Sequence, residues 1–158
     1  MAGTAPAARP RIGVIGGSSC TPRQAEVAHA VGGLIAQRGG ILVCGGMGGV
    51  MEAACRGAAE HGGITVGILP GGSAAEGNPY LTVPVVTGLG YARNLLVVQS
   101  SQAIIAIGGR YGTLTEIAYA AQFGVPVVGI ATWKVRIPIK HVRTPAEAVR
   151  LALELAGG

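Results

Sequence analysis

Aspartate is absent from this 158-residue chain, and charged residues of every kind are scarce. All seven acidic residues are glutamates, which excludes aspartate-based metal sites, aspartic dyads and Ser-His-Asp triads. Charged residues make up 12% of the sequence, against roughly 25% in an ordinary soluble domain. A surface with so little charge is hard to leave fully hydrated, so we expect part of it to be buried in a homodimer or homotetramer.

The cysteines and histidines are too few and too scattered for a disulfide framework or a metal centre. The three cysteines form no CxxC pair and leave an odd count, which is typical of a reducing compartment, so we predict a cytoplasmic protein. The three histidines come from separate predicted elements and share no ligand spacing, so we predict no metal site. These residues are Cys20, Cys44 and Cys55, and His29, His61 and His141.

No segment resembles a targeting or membrane-spanning sequence. The first ten residues are rich in Ala and Pro and lack the basic and apolar regions of a signal peptide, so we predict a flexible lead there. The uncharged stretch at residues 94–109 is interrupted by polar residues at 99–102. We therefore expect no membrane partner.

Residues 11–158 alternate between apolar strand patterns and amphipathic helix patterns. The strands are continuous apolar runs, which indicates a parallel sheet covered by helices on both faces. The sequence therefore predicts a single α/β domain with a Rossmann-like, doubly wound fold, in which strands that follow one another in the chain are expected to be neighbours. The predicted strands are 11–15, 41–44, 64–69, 83–86, 103–107 and 125–130, and the predicted helices are 21–37, 49–61, 91–101, 113–123 and 144–156.

Glycines follow the predicted strands, at the sheet edge where open α/β folds bind their ligands. The first strand ends in Gly16-Gly17-Ser18, which does not form a GxGxxG motif, and the second ends in Cys44-Gly45-Gly46, where a dinucleotide fold places an acid. No GxxxxGK[ST] sequence is present. These absences exclude a dinucleotide-dependent dehydrogenase and a P-loop nucleotide hydrolase.

The strongest binding signal is the loop after the strand at 103–107. It reads Gly108-Gly109-Arg110-Tyr111-Gly112-Thr113-Leu114-Thr115-Glu116 and leads into a helix for which Thr113 is the predicted N-cap. Free N–H groups at a helix N-terminus favour an anion such as phosphate. The alternative is a capping box, in which Glu116 only accepts a hydrogen bond from the backbone near Thr113.

Arg93 is the second residue with a functional interpretation. It opens a largely apolar predicted helix, where its cation meets the positive end of the helix dipole. A nearby anion or carboxylate would explain that position, so we expect the side chain to face the ligand edge of the sheet. A surface arginine is the alternative.

The ordered glycine blocks resemble those of the Lonely-Guy superfamily, which also includes molybdenum-cofactor carriers. Gly45-Gly46-Met47-Gly48-Gly49-Val50-Met51-Glu52-Ala53, followed by Gly62-Gly63 and Gly67-Ile68-Leu69-Pro70, is similar to its GGGxxGLM…GGxVxGVxP block, and the loop at 108–116 is similar to its PGGxGTxxE motif. The chain looks like a member of the short, single-domain branch of that superfamily. The resemblance implies a Rossmann-like fold and an oligomer of two or four chains.

The same resemblance implies the site residues. In the family's phosphoribohydrolases, which hydrolyse the N-glycosidic bond of a nucleoside 5′-monophosphate, the essential arginine and glutamate correspond to Arg93 and Glu116, with the glutamate acting as a carboxylate beside an oxocarbenium-like transition state. The family's phosphate loop corresponds to Gly108, Gly109, Gly112 and Thr113. We place the remaining ligand contacts at Gly17, Ser18, Gly45, Gly46, Met47 and Asn94.

Three departures from the hydrolase pattern favour carriage over hydrolysis. Ile107 replaces the proline that opens the family's loop, Arg110 is an extra residue within the loop, and Asn94 replaces the lysine after the arginine. We therefore expect a protein that binds a phosphorylated, nucleotide-like molecule, with the molybdenum cofactor as one such ligand and no cofactor required. Phosphoribohydrolase activity is the alternative.

A cluster of basic residues near the C-terminus raises a third, weaker alternative. The DNA-processing proteins of bacterial transformation have a related fold, and basic side chains could contact DNA phosphates. Four positive residues with few aromatics are more typical of a solvated edge, so we do not expect nucleic acid to be a partner. The four residues are Lys134, Arg136, Lys140 and Arg143.

Overall fold

The computed structural model describes residues 3–5 and 7–157, and residues 11–157 form one parallel sheet with its helices. Met1, Ala2 and Pro6 of the predicted lead lie outside the described residues. The seven strands pair in the order β4-β3-β2-β1-β5-β6-β7, and every pairing is parallel. The strands are β1 (Arg11–Gly16), β2 (Ile41–Cys44), β3 (Ile64–Leu69), β4 (Val83–Val86), β5 (Ala103–Ile107), β6 (Val127–Ile130) and β7 (Lys140–Val142).

Helices cover both faces of this sheet, as the continuous apolar strands predict. Two apolar clusters result, one between the sheet and α1, α2 and α5, and the other between the sheet and α3 and α4. The helices are α1 (Pro22–Gln37), α2 (Val50–Glu60), α3 (Asn94–Gln99), α4 (Tyr111–Phe123) and α5 (Pro145–Gly157), with short 3₁₀ segments at Ala74–Glu76 and Gly90–Arg93. The prediction of a single Rossmann-like α/β domain is confirmed. None of the helices in the described ranges is long and apolar enough to cross a bilayer.

The strand order corrects one expectation about neighbours. The chain runs outward from β1 to β4, then returns across the sheet so that β5 pairs with β1, and therefore β4 and β5 are not adjacent. The return connection is the 3₁₀ segment Gly90–Arg93 together with α3. The direction of winding reverses between β1 and β5, and a crevice for ligands is expected at such a switch point.

A local capping signal marks the start of α1 but not the start of α4. Thr21 caps α1 through a capping box with Gln24, as expected from Thr-Pro at a helix start. α4 starts at Tyr111 after the N-cap residue Arg110, so Thr113 lies in the first turn and is not the N-cap. The predicted capping box between Thr113 and Glu116 is therefore wrong, and Glu116 is left for another role.

The segment at 91–101 also differs from the prediction. The predicted single helix is a 3₁₀ turn followed by the six-residue α3. Val97 and Val98 are fully buried against the second apolar cluster, which explains why apolar residues extend beyond one helical stripe there. The basic segment near the C-terminus contributes β7, a short edge strand that the sequence did not reveal.

Candidate functional site

A cleft of about 650 Å³ opens at the carboxyl ends of the central strands, on the face covered by α3 and α4. It lies where the winding of the sheet reverses, and its size is within the ~300–1,000 Å³ usual for small-molecule sites. Its lining comes from the end of β1 and the loop after it, the residue after β2, the starts of α2 and α3, the 3₁₀ segment, and the first three turns of α4. The lining residues are Val14, Ile15, Gly16, Gly17, Ser18, Ser19, Gly45, Met51, Tyr91, Ala92, Arg93, Asn94, Arg110, Tyr111, Gly112, Thr113, Thr115, Glu116 and Tyr119.

Arg93 lies within this cleft as a buried cation that is held by backbone carbonyls. Its Nε donates a hydrogen bond to the Ile68 carbonyl oxygen at 2.9 Å and its Nη2 to the Gly45 carbonyl oxygen at 3.3 Å, while Nη1 donates to Oδ1 of Asn94. A Cβ atom at Gly45 would lie 2.7 Å from Nη2, so only glycine leaves room for the guanidinium there. The arginine thereby ties the ends of β2 and β3 to the segment that crosses the sheet.

Glu116 is a buried carboxyl group on the first turns of α4. Burial raises its pKa from 4.5 to about 8, and the charge of Arg93 opposes part of that shift. Within the described part of the chain, no basic side chain lies within 4.0 Å of this carboxylate. The group is therefore largely protonated at neutral pH, and it faces the cleft without an ion-pair partner.

Asn94 connects the two segments that carry the arginine and the glutamate. Its Nδ2 donates to Oγ1 of Thr115 at 3.2 Å, and that hydroxyl donates to the Gly112 carbonyl oxygen at 2.6 Å. The start of α3 is thus linked to the first turn of α4. The link between α3 and α4 brings Arg93 and Glu116 to one cleft, although β4 and β5 are far apart in the sheet.

The N-terminus of α4 presents backbone donors to the same cleft. The first hydrogen bond of the helix runs from the Leu114 N–H to the Arg110 carbonyl oxygen at 3.0 Å, so the N–H groups of residues 111–113 precede the helical ladder. Nothing lies closer than 3.8 Å to the position of a Cβ atom at Gly112. The donors and the open space suit an anionic group.

The glycine pair before α4 sets the direction of that helix. Gly108 and Gly109 have φ values of 54° and 102°, a conformation that residues with a side chain rarely adopt. A Cβ atom at Gly109 would lie 2.4 Å from Thr113. Two hydrogen bonds anchor the loop to the end of β6 and the residues after it. Thr132 Oγ1 donates to the Gly108 carbonyl oxygen at 2.6 Å, and the Gly108 N–H donates to the Ile130 carbonyl oxygen at 3.2 Å.

Most of the residues selected from the sequence line the cleft, and some do not. Those that line it are Gly17, Ser18, Gly45, Arg93, Asn94, Gly112, Thr113 and Glu116. Four lie outside its lining: Gly46 and Met47 in the turn after β2, and Gly108 and Gly109 in the turn before α4. These four shape the backbone around the cleft, and ligand contact by the other eight stays a prediction.

Three tyrosines were missed by the sequence analysis, although they line the cleft: Tyr91, Tyr111 and Tyr119. Tyr91 and Tyr111 flank Arg93 and the glycine loop in sequence, and that proximity is the signal that could have found them. The charged side chains of the lining are Arg93, Arg110 and Glu116. With Glu116 largely neutral, the cleft is positively charged and favours an anion.

The fold and this cleft define a Rossmann-like protein with a cleft of the size usual for small-molecule sites. The chain belongs to the SLOG cluster4 family, whose model matches residues 9–153. A protein of uncharacterised function from Archaeoglobus fulgidus is 41% identical over 143 residues, which cover 90% of this chain and 94% of that protein.

Solved structures of molybdenum cofactor proteins are similar over nearly the whole chain. The molybdenum cofactor binding protein from Rippkaea orientalis has a TM-score of 0.89 at 33% identity, covering 94% of this chain and 98% of that one. The molybdenum cofactor carrier protein from Chlamydomonas reinhardtii has a TM-score of 0.86 at 32% identity, covering 96% and 100%. DNA processing protein A from Helicobacter pylori, at 15% identity, covers 92% and 80% with a TM-score of 0.69, which shows the shared fold alone.

Proposed function

We propose that this protein binds and carries a small phosphorylated heterocyclic molecule of the pterin or nucleotide type, such as the molybdenum cofactor. The observation that carries the proposal is the positive cleft in which the N-terminus of α4 meets the buried residues Arg93 and Glu116. The similarity to molybdenum cofactor carriers along the whole chain supports a carrier role.

The residues present fit such a ligand. The N–H groups at the start of α4 would hold its phosphate, with the hydroxyl of Thr113 beside them. Thr113 is 3% exposed and lines the cleft, so its side chain is held by packing at the start of α4. Arg93 supplies positive charge, and the largely protonated Glu116 can donate a hydrogen bond to a carbonyl or ring nitrogen of the heterocycle.

The proposal is tested by adding one methyl group to the phosphate site. Gly112→Ala places a methyl group at the start of α4, 3.8 Å from Nδ2 of Asn94, which is an ordinary contact distance. The variant should therefore fold, with a gain of up to about 1 kcal/mol from higher helix propensity. The same methyl group should obstruct the anion and weaken the binding of AMP and GMP in isothermal titration calorimetry.

Gly72→Ala is the matched control, because no atom lies within 4 Å of its added Cβ atom and Gly72 does not line the cleft. Adenosine, which lacks the phosphate, should bind far more weakly than AMP to the wild type. Equal binding of AMP to the wild type and to Gly112→Ala would contradict the placement of the phosphate.

A second candidate function, phosphoribohydrolase activity, is favoured by the raised pKa of Glu116. A carboxylic acid that stays protonated at neutral pH can donate a proton to a leaving group. In such a step the C1′–N bond breaks, its electron pair and the Glu116 proton go to the base, and water adds to C1′ and returns a proton to the carboxylate. This role as an acid differs from the carboxylate role that the family resemblance implies.

The two candidates are separated by assaying base release. Wild-type protein is incubated with nucleoside 5′-monophosphates, and free base is measured by chromatography. Base release that disappears in Glu116→Gln would support hydrolysis. Tight binding without release would support carriage.

We also propose self-association and a cytoplasmic location. The four exposed residues of β4 include Val83, Val85 and Val86, and Leu89 follows them at 53% exposure, so an apolar edge is available to a second copy of the chain. The three free cysteines support a reducing compartment.

A further inference from the structure

Aromatic residues are concentrated at the cleft. The chain has six aromatic residues, of which four are tyrosines, and three of those four tyrosines line the cleft. Tyr91 is 87% exposed and Tyr111 is 75% exposed, more than any other large apolar side chain in the described ranges. Exposed aromatic rings at the edge of a binding site indicate contact with a partner or ligand.

The ring of Tyr111 also packs against a second aromatic ring, that of Trp133. Its ring lies 6.1 Å from the ring of Trp133, centroid to centroid, with an interplanar angle of 33°. Trp133 is itself fixed, because its Nε1 donates to the Arg110 carbonyl oxygen at 3.0 Å. A ring held in this way loses little conformational entropy when a ligand packs on it.

The position of Tyr111 connects the ring to the phosphate site. It is the first residue of α4 and is followed directly by Gly112 and Thr113, whose N–H groups precede the helical ladder. A ligand with its phosphate at those donors therefore has the Tyr111 ring within the span of one small molecule. Arg110, which also lines the cleft, adds positive charge beside the ring.

We propose that Tyr111, backed by Trp133, is the stacking surface for the planar ring system of the ligand. The cleft would then select phosphorylated purines and pterins over sugar phosphates that lack a ring system. Stacking suits both classes, because every aromatic heterocycle presents a π face. The inference rests on the proposed function, since it assigns the half of the ligand that the phosphate site does not hold.

The experiment compares AMP, GMP and ribose 5-phosphate as probes in isothermal titration calorimetry. The wild type should bind both nucleotides about tenfold or more tightly than ribose 5-phosphate. Tyr111→Ala should remove that difference and leave ribose 5-phosphate binding unchanged, whereas Tyr111→Phe should retain it. Gln122→Ala, at an exposed position near the far end of the same helix and outside the cleft lining, should behave like the wild type.

Trp133 provides an independent readout, because it is the only tryptophan in the chain. Nucleotide binding should change its fluorescence, whereas ribose 5-phosphate should not. The inference is overturned if the wild type binds all three probes equally, or if Tyr111→Ala alters the oligomeric state in sedimentation but not the nucleotide affinity. Absence of binding by all three probes would overturn the proposed function as well.

Discussion

Replacing Glu116 with glutamine removes a buried ionisable group from the cleft at nearly constant side-chain volume. In the native protein the pKa of this carboxyl group is raised from 4.5 to about 8 by burial. Between those two values the native state keeps a proton that the unfolded chain releases. The free energy of unfolding therefore falls as the pH rises, and it falls by about 1.4 kcal/mol per pH unit from this group alone.

The size of the effect follows from the same two pKa values. Over the whole interval the wild type loses at most about 5 kcal/mol, and at pH 7 about 3 kcal/mol of that has been lost. Glu116→Gln does not titrate, so its free energy of unfolding should lack this contribution. The variant should be close to the wild type at pH 4.5 and more stable by up to about 3 kcal/mol at pH 7.

Urea denaturation at pH 4.5, 6, 7 and 8 measures the difference between the two proteins. Glu26→Gln is the matched control, because the side chain of Glu26 is 74% exposed and Glu26 does not line the cleft. Parallel stability curves for the wild type and Glu116→Gln would refute the assignment of a buried, protonated carboxyl group.

Three further outcomes follow from the same structure. The affinity for AMP should fall about tenfold between pH 7 and pH 9 in calorimetry, because the carboxylate that forms when Glu116 ionises repels the phosphate. Glu116→Gln should show no such fall. An AMP affinity of the wild type that does not change with pH would contradict the assignment of a neutral carboxyl group. Gly45→Ala should displace Arg93, because the new Cβ atom would lie 2.7 Å from Nη2, and it should lower both the melting temperature and the affinity for AMP, while Gly72→Ala changes neither. Sedimentation at micromolar concentration should show a dimer or tetramer that Val85→Lys dissociates, and a wild-type monomer would exclude the proposed contact at β4.

Local signals in the sequence predicted the fold well, because each of them acts within a few residues. Thr21 followed by Pro22 marked the start of α1, and Gly124, with φ of 68°, ends α4 as its position suggested. Apolar runs located six of the seven strands. The seventh, β7, is three residues long and begins with a lysine, so it has no apolar pattern to find.

The strand order and the start of α4 depend on interactions that no local pattern contains. The order follows from how Gly90–Arg93 and α3 cross the sheet, and that path is fixed by the buried side chain of Arg93 bonding to carbonyl groups of β2 and β3. The Thr113-x-x-Glu116 spacing imitates a capping box. Helix α4 nevertheless starts earlier, because Gly108 and Gly109 allow the chain to turn into the helix at Tyr111.

Arg93 and Glu116 were predictable as site residues, whereas Arg110 and the aromatic residues of the cleft were not. Arg93 and Glu116 are exceptional in the sequence because each lies in an otherwise apolar helical segment, and the structure brings both to one cleft. By pattern alone, Tyr91 lies in a predicted helix and Tyr111 in the predicted glycine loop, and neither is marked as a binding residue. Their exposure at the cleft becomes evident only when the 3₁₀ segment and α4 are placed side by side.

Native mass spectrometry of the protein, purified without denaturation, tests the central proposal most directly. The proposal predicts a bound mass that corresponds to a phosphorylated heterocycle, or AMP retained after its addition, and in both cases loss of the ligand in Gly112→Ala but not in Gly72→Ala. A wild-type protein that shows only its own mass, and retains neither a copurified ligand nor added AMP, would contradict it.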